Sequence, residues 1–110
     1  MSESRVRYMR MILFFDLPME TAVQRRNYAR FRKYLLKNGF LMMQKSVYSK
    51  LAINDKVYEG ILNRLRENRP PDGMVQALKV TEKQFASIAN VVGEVAETEE
   101  LADTESLVVL

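Results

Sequence analysis

At 110 residues, with 47% hydrophobic side chains and a net charge of +3, the chain has the makeup of one small soluble domain. It contains neither His nor Cys, which excludes imidazole acid–base pairs, Cys-His dyads, Ser-His-Asp triads, disulfides and zinc sites of the nitrogen–sulfur kind. The charge is uneven: residues 1–54 carry 11 basic and 3 acidic side chains, whereas residues 55–110 carry 6 basic and 11 acidic ones.

Any hydrolysis here must use carboxylates, hydroxyls, Lys or Arg, most naturally with a hard, oxygen-liganded cation such as Mg²⁺. A basic first half calls for a polyanionic partner. A domain of this size buries only roughly 60–70% of its unfolded surface, so a dimer that adds burial is expected. No apolar run approaches the roughly 20 residues of a membrane span, and the opening MSESRVR lacks a signal-peptide pattern, so a cytoplasmic protein with no membrane contact is expected.

The first element is the run YMRMILFF, residues 8–15, which stops at Asp16 before Leu17-Pro18 turn the chain away. Apart from Arg10 it is apolar at every position, the pattern of a central strand covered on both faces or lying at a dimer interface. Thr21 and Gln24 then have capping-box spacing, and a helix is expected to run to about Asn38, with Gly39 as its left-handed stop. Its core stripe is Tyr28, Phe31 and Leu35. Arg26, Arg30, Lys33 and Lys37 stack on the opposite side, with Arg25 and Arg32 on a flank.

Residues 40–52, FLMMQKSVYSKLA, read as two short strands broken near Gln44, Lys45 and Ser46. Asn54 caps a second helix with Val57, Tyr58, Ile61, Leu62 and Leu65 at helical spacing, ended by Pro70 and Pro71. Asp72-Gly73 is a turn and MVQALKVT a fourth strand. Thr81 and Gln84 repeat the capping box before a short helix, VVGEV suggests another strand, and the acidic EVAETEELADTE precedes SLVVL, a terminal strand. The order β-α-β-β-α-β with appended strands is the α+β, ferredoxin-like split pattern, with two helices on one sheet face and the other face free for a partner. Residues 1–95 form that domain and 96–110 an acidic arm.

Asp16 is the sharpest candidate for chemistry. A carboxylate at a strand exit is suited to hold Mg²⁺, provided that water, phosphate oxygens or a symmetry-related Asp16 complete the shell; equally, an Asp before Leu-Pro serves to order a turn. The basic helix face is suited to phosphates and to salt-sensitive, sequence-independent binding. Ser46, Tyr48, Ser49 and Lys50 read either as phosphate contacts or as strand surface, and Tyr28, Tyr34, Phe14 and Phe15 as base-stacking or core residues. Leu107, Val108, Val109 and Leu110 form an edge strand within the chain or pair with the sheet edge of a partner.

ILFFDLP, QRRNYARFRKYLLKNGF, Gln44-Lys45-Ser46-Val47-Tyr48 and VTEKQF, in this order and spacing, resemble one family: the second of the two universal CRISPR-associated adaptation proteins, in its type II-A form. The likeness covers nearly the whole chain. It departs from the commoner pattern at Phe15, where Tyr often stands, and at Leu41, Met42 and Met43, where a basic residue often follows the glycine.

The resemblance implies a homodimer at the centre of a complex with two integrase dimers, holding double-stranded DNA with single-stranded ends for insertion as a spacer. It also implies an Mg²⁺-dependent endonuclease site on DNA or RNA, with Asp16 from both protomers as metal ligand and catalytic group. The expected phosphate contacts are Arg26, Arg30, Lys33 and Lys37, then Arg25 and Arg32, while the acidic arm with its last four residues meets the integrase. The rival readings are a stand-alone endoribonuclease cutting single-stranded RNA and a toxin-like interferase of the same fold.

Overall fold

The apolar run at the head of the sequence becomes the central strand of a four-stranded sheet. The computed structural model describes residues 8–93. In chain order these form β1 (Met9–Asp16), α1 (Ala22–Lys37), β2 (Leu41–Gln44), β3 (Val47–Ala52), α2 (Asp55–Glu67), β4 (Met74–Thr81) and α3 (Glu82–Ala86). The sheet order is β2-β3-β1-β4 with antiparallel neighbours, the ferredoxin-like arrangement expected from the element order.

Local chemistry explains the boundaries. The Thr21 hydroxyl accepts from the Gln24 amide at 3.0 Å, and the Gln24 side chain accepts from the Thr21 amide at 3.0 Å, closing a capping box at the start of α1. Gly39 leaves α1 at φ +86°, a conformation in which a side chain is strained. Asn54 caps α2 through Oδ1, and a second capping box, Thr81 with Gln84, starts α3.

Side chains alternate across the sheet, so Met11, Leu13 and Phe15 of β1 point to one face with Tyr48 and Ala52 of β3. Phe31 and Leu35 of α1 and Tyr58, Ile61 and Leu65 of α2 close over them to make the core. Full burial of one such aliphatic side chain contributes about 1.5–3 kcal/mol. Phe15 sits at the centre, stacked on Tyr48 at 5.5 Å and edge-on to Phe31 at 5.4 Å.

Arg10, Ile12, Phe14 and Asp16 alternate onto the opposite face. There α3 covers one end only: Glu82 holds Arg10 through two hydrogen bonds of 2.8 and 3.1 Å, and the guanidinium lies 4.3 Å from the centre of the Phe85 ring. The rest of this face is open and apolar, with Phe14, Leu41, Leu51, Met74 and Leu78 exposed.

Asp16 is the last residue of β1, the strand end at which the sequence placed it. One expectation needs revision. The strand expected at VVGEV is not formed over residues 91–93, which bend and leave Val91 and Val92 exposed. The acidic arm, residues 96–110, with its terminal strand Leu107, Val108, Val109 and Leu110, lies outside the described residues. Among the described residues no helix is long and apolar enough to cross a membrane.

Candidate nucleic-acid interface

Asp16 is exposed on the open sheet face, and its backbone is fixed from both sides. Towards β3, the Phe15 amide donates to the Ser46 carbonyl at 3.0 Å. Towards β4, Asp16 is in register with Met74, and Gly73 (φ +90°) packs so closely that a Cβ there would lie 2.6 Å from the Asp16 carbonyl oxygen. The carboxylate thus projects from a rigid strand end. Among the described residues no group of three or more Asp, Glu, His or Cys could hold a metal ion. The described residues therefore do not make a protein-only cage around Asp16, whose carboxylate fits Mg²⁺ alongside water, phosphate oxygens or a second copy's Asp16.

The basic surface is built on α1. Arg26, Arg30, Arg32, Lys33 and Lys37 are all exposed. None of them pairs with a carboxylate among the described residues, whose ion pairs are Arg10 with Glu82 and Lys79 with Asp55. Arg25 differs from the rest: its Nη1 donates to the carbonyls of Met19 (3.1 Å) and Glu20 (3.0 Å), so it ties down the loop ahead of the helix.

Sequence reasoning missed the continuation of this surface. Arg69, in the loop after α2, lines one small cavity of about 80 Å³ together with Arg30, Asn27, Tyr34 and Asn68. The basic surface therefore crosses from α1 to the end of α2. Arg66 and Arg69 fall in the half of the sequence with negative net charge, so a division by halves hid them. The usable signal was the run Arg64, Arg66 and Arg69, interrupted by one acid, Glu67.

The strand residues weighed as phosphate contacts are not brought to this surface. Tyr48 and Ser49 are buried, and Lys50 donates from Nζ to the Asn38 carbonyl at 2.8 Å, capping the end of α1. Phe15 is core, whereas Phe14 is exposed on the open sheet face. Tyr28 is half-buried and donates to the Lys45 carbonyl at 3.2 Å. On the helix side of β4, Lys79 donates to Asp55 at 3.0 Å. That bond, more than any other cause, raises the lysine above its ordinary value, while burial raises neighbouring Tyr58 against the pull of Lys79.

Comparison with known proteins points to one family. The sequence model of the family described as CRISPR associated protein Cas2 matches residues 9–88. A protein of Treponema denticola named CRISPR-associated endoribonuclease Cas2 is 52% identical over 102 residues, covering 93% of this chain and all of the relative. Proteins of the same name from Streptococcus mutans and Lacticaseibacillus rhamnosus are 51% and 45% identical, covering 78% and 77% of this chain and 79% and 84% of their own length.

Proposed function

This chain belongs to the CRISPR-associated protein Cas2 family, and from that membership we propose that it is a dimeric nucleic-acid scaffold for spacer acquisition. The observation that carries this reading is the exposed basic surface of α1, which meets no carboxylate among the described residues and continues through Arg30 to Arg69. Arg26, Arg30, Arg32, Lys33 and Lys37 contact the phosphates of double-stranded DNA, with Arg25 contributing charge while it braces the loop. Such contacts position a duplex without reading its sequence. The open apolar face of the sheet suits a second copy of the chain, and the dimer bridges two integrase dimers, with residues 96–110 reaching the integrase.

A second reading draws on the relatives' name and on the exposure of Asp16. Two copies meeting through the open sheet face bring two strand ends, and hence two Asp16 carboxylates, to one interface. With Mg²⁺ that pair would support cleavage of a phosphodiester, in RNA as the relatives' name states or in DNA.

Spacer integration reconstituted with the partner integrase separates the two, with wild type compared with Asp16→Ala and with Arg26→Glu/Lys33→Glu. The scaffold reading expects normal integration from Asp16→Ala and collapse with the charge reversal. If Asp16→Ala also collapses while still folding and dimerising, the carboxylate contributes chemistry and the nuclease reading leads. Unimpaired integration by the charge-reversal variant would sink the scaffold reading.

A further inference from the structure

The turn that ends α2 builds a small polar recess against α1. Asn68 closes the helix, its side chain donating to the Arg64 carbonyl at 2.8 Å. Pro70-Pro71 follow soon after, with backbone angles fixed by their rings. Arg69 stands between cap and prolines, and its Nη1 donates to the Arg66 carbonyl at 2.7 Å. From the other side α1 contributes Asn27, Arg30 and Tyr34, at the spacing of one helix face. Arg30 donates to Asn27 Oδ1 at 3.4 Å, which leaves the Asn27 amide nitrogen as a donor.

Size and chemistry choose the occupant. The recess has a volume of about 80 Å³. That holds a few waters, at ~30 Å³ for each in the liquid, and lies far below the roughly 300–1,000 Å³ of clefts that take drug-sized ligands. The occupant is therefore one small group. Two guanidiniums, an amide and a phenol call for an anion, and no carboxylate lines the recess among the described residues. Asp72 borders the adjoining cavity, with Asn27 and Pro70, and not this one. A carboxylate is planar, and a single guanidinium fork satisfies both of its oxygens. A phosphate is tetrahedral, so its oxygens reach donors on both walls at once. Arginines supplied from two separate elements favour the phosphate.

We propose that this recess is a subsite for one phosphate group, shared by Arg30 and Arg69, with Asn27 and Tyr34 donating beside them. Arg26, Arg32, Lys33 and Lys37 lie along an exposed helix face, where each cation meets a phosphate independently. Arg30 and Arg69 act as a unit. A phosphate seated there ties the loop after α2 to α1 and fixes the position of the chain that carries it. The subsite itself does not depend on the scaffold reading; only the assignment of its phosphate to a DNA backbone rests on that reading.

NMR spectra of the arginine Nε–H groups in the full chain test this, with inorganic phosphate or acetate added at constant ionic strength. The Arg30 and Arg69 signals should follow one saturation curve with phosphate, while Arg26 and Arg32 stay nearly still. Acetate, or the change Arg69→Gln, should weaken that response several-fold. A short DNA duplex then identifies the source. Movement of the same pair gives the subsite to a backbone phosphate; a pair that answers inorganic phosphate alone supports the subsite and removes it from the path of the duplex. If the duplex binds there, Arg30→Gln/Arg69→Gln should lower the slope of log affinity against log salt by about 0.9, the value for one phosphate of a duplex. Both positions are exposed, so the fold should survive. Separate curves for the two arginines, an equal response to acetate, shifts spread over all arginines, or a slope change about twice as large would overturn the proposal.

Discussion

Gly73 touches the backbone of Asp16 so closely that no other residue fits: at φ +90°, an added Cβ would meet the Asp16 carbonyl oxygen at 2.6 Å and a Leu17 side-chain carbon at 2.8 Å. The turn before β4 therefore sets where β1 ends and where its carboxylate stands. Gly73→Ala should cost about 1–3 kcal/mol, because it adds left-handed strain to a backbone clash. Urea denaturation measures this, and amide shifts of residues 14–17 should move in the same variant. A variant as stable as wild type with unmoved shifts would show that the turn does not fix Asp16.

The basic surface predicts its own salt dependence. Replacing a residue that neutralises a phosphate lowers the slope of log affinity against log salt by about 0.7–0.9 per contact. Lys33→Gln and Arg69→Gln should each do so for a DNA duplex, although the two lie on different elements. Arg25→Gln should lower thermal stability as well, because the Met19 and Glu20 carbonyls lose their donor. Fluorescence anisotropy across a salt series checks the three slopes, and thermal melting checks the stability of Arg25→Gln. An unchanged slope for Arg69→Gln would confine the surface to α1.

Much of the fold was legible because its signals are local. Two Thr/Gln capping boxes, Asn54 before a helical apolar stripe, and glycines at 39 and 73 each act within a few residues, and all were read correctly. What the sequence hid depends on contacts distant along the chain. Arg69 joins Arg30 only because the end of α2 returns beside α1. Lys50 looks like a strand-surface cation until the turn after α1 brings the Asn38 carbonyl to it. Tyr48 and Ser49 have surface-compatible side chains, yet β3 is flanked by β1 and β2, and both residues are buried there.

Tyr48 carries a cost that can be removed. Its ring is wholly buried against Phe15, but its hydroxyl is buried with no hydrogen-bond partner among the described residues. An unsatisfied buried polar group costs about 1–3 kcal/mol. Tyr48→Phe keeps the stacked ring, so it should leave stability unchanged or raise it by up to about that amount. Urea midpoints decide the matter, and a loss of more than about 1 kcal/mol would show that the hydroxyl has a partner in solution.

Alkaline pH should weaken the fold through α2. Burial raises Tyr58 above its ordinary value of 10.0, and the hydrogen bond to Asp55 raises Lys79 above 10.5. The folded state therefore binds both protons more tightly than the unfolded one. Each contribution is complete below the unfolded value and lost as pH rises through the folded one. Stability measured in urea from about pH 8 to about pH 11 should stay level and then fall. Tyr58→Phe should fall less steeply, since it carries no phenolic proton; an identical decline would clear Tyr58 of any part in it.

The open sheet face decides whether Asp16 acts alone. Phe14, Leu51, Met74 and Leu78 leave an apolar surface on the face that also carries the carboxylate, and burying such a surface against a second copy is favourable. Leu51→Lys/Leu78→Lys should weaken self-association at least tenfold, about 1.4 kcal/mol, as read by sedimentation. Both positions are exposed in the single chain, so the fold should survive. If Mg²⁺-dependent cleavage is found for the wild type, it should vanish with the dimer, because the described residues of one protomer form no group of three or more metal-ligating side chains around Asp16. Cleavage that persists in a monomeric variant would mean that a single Asp16, completed by water and phosphate oxygens, is enough to hold the metal.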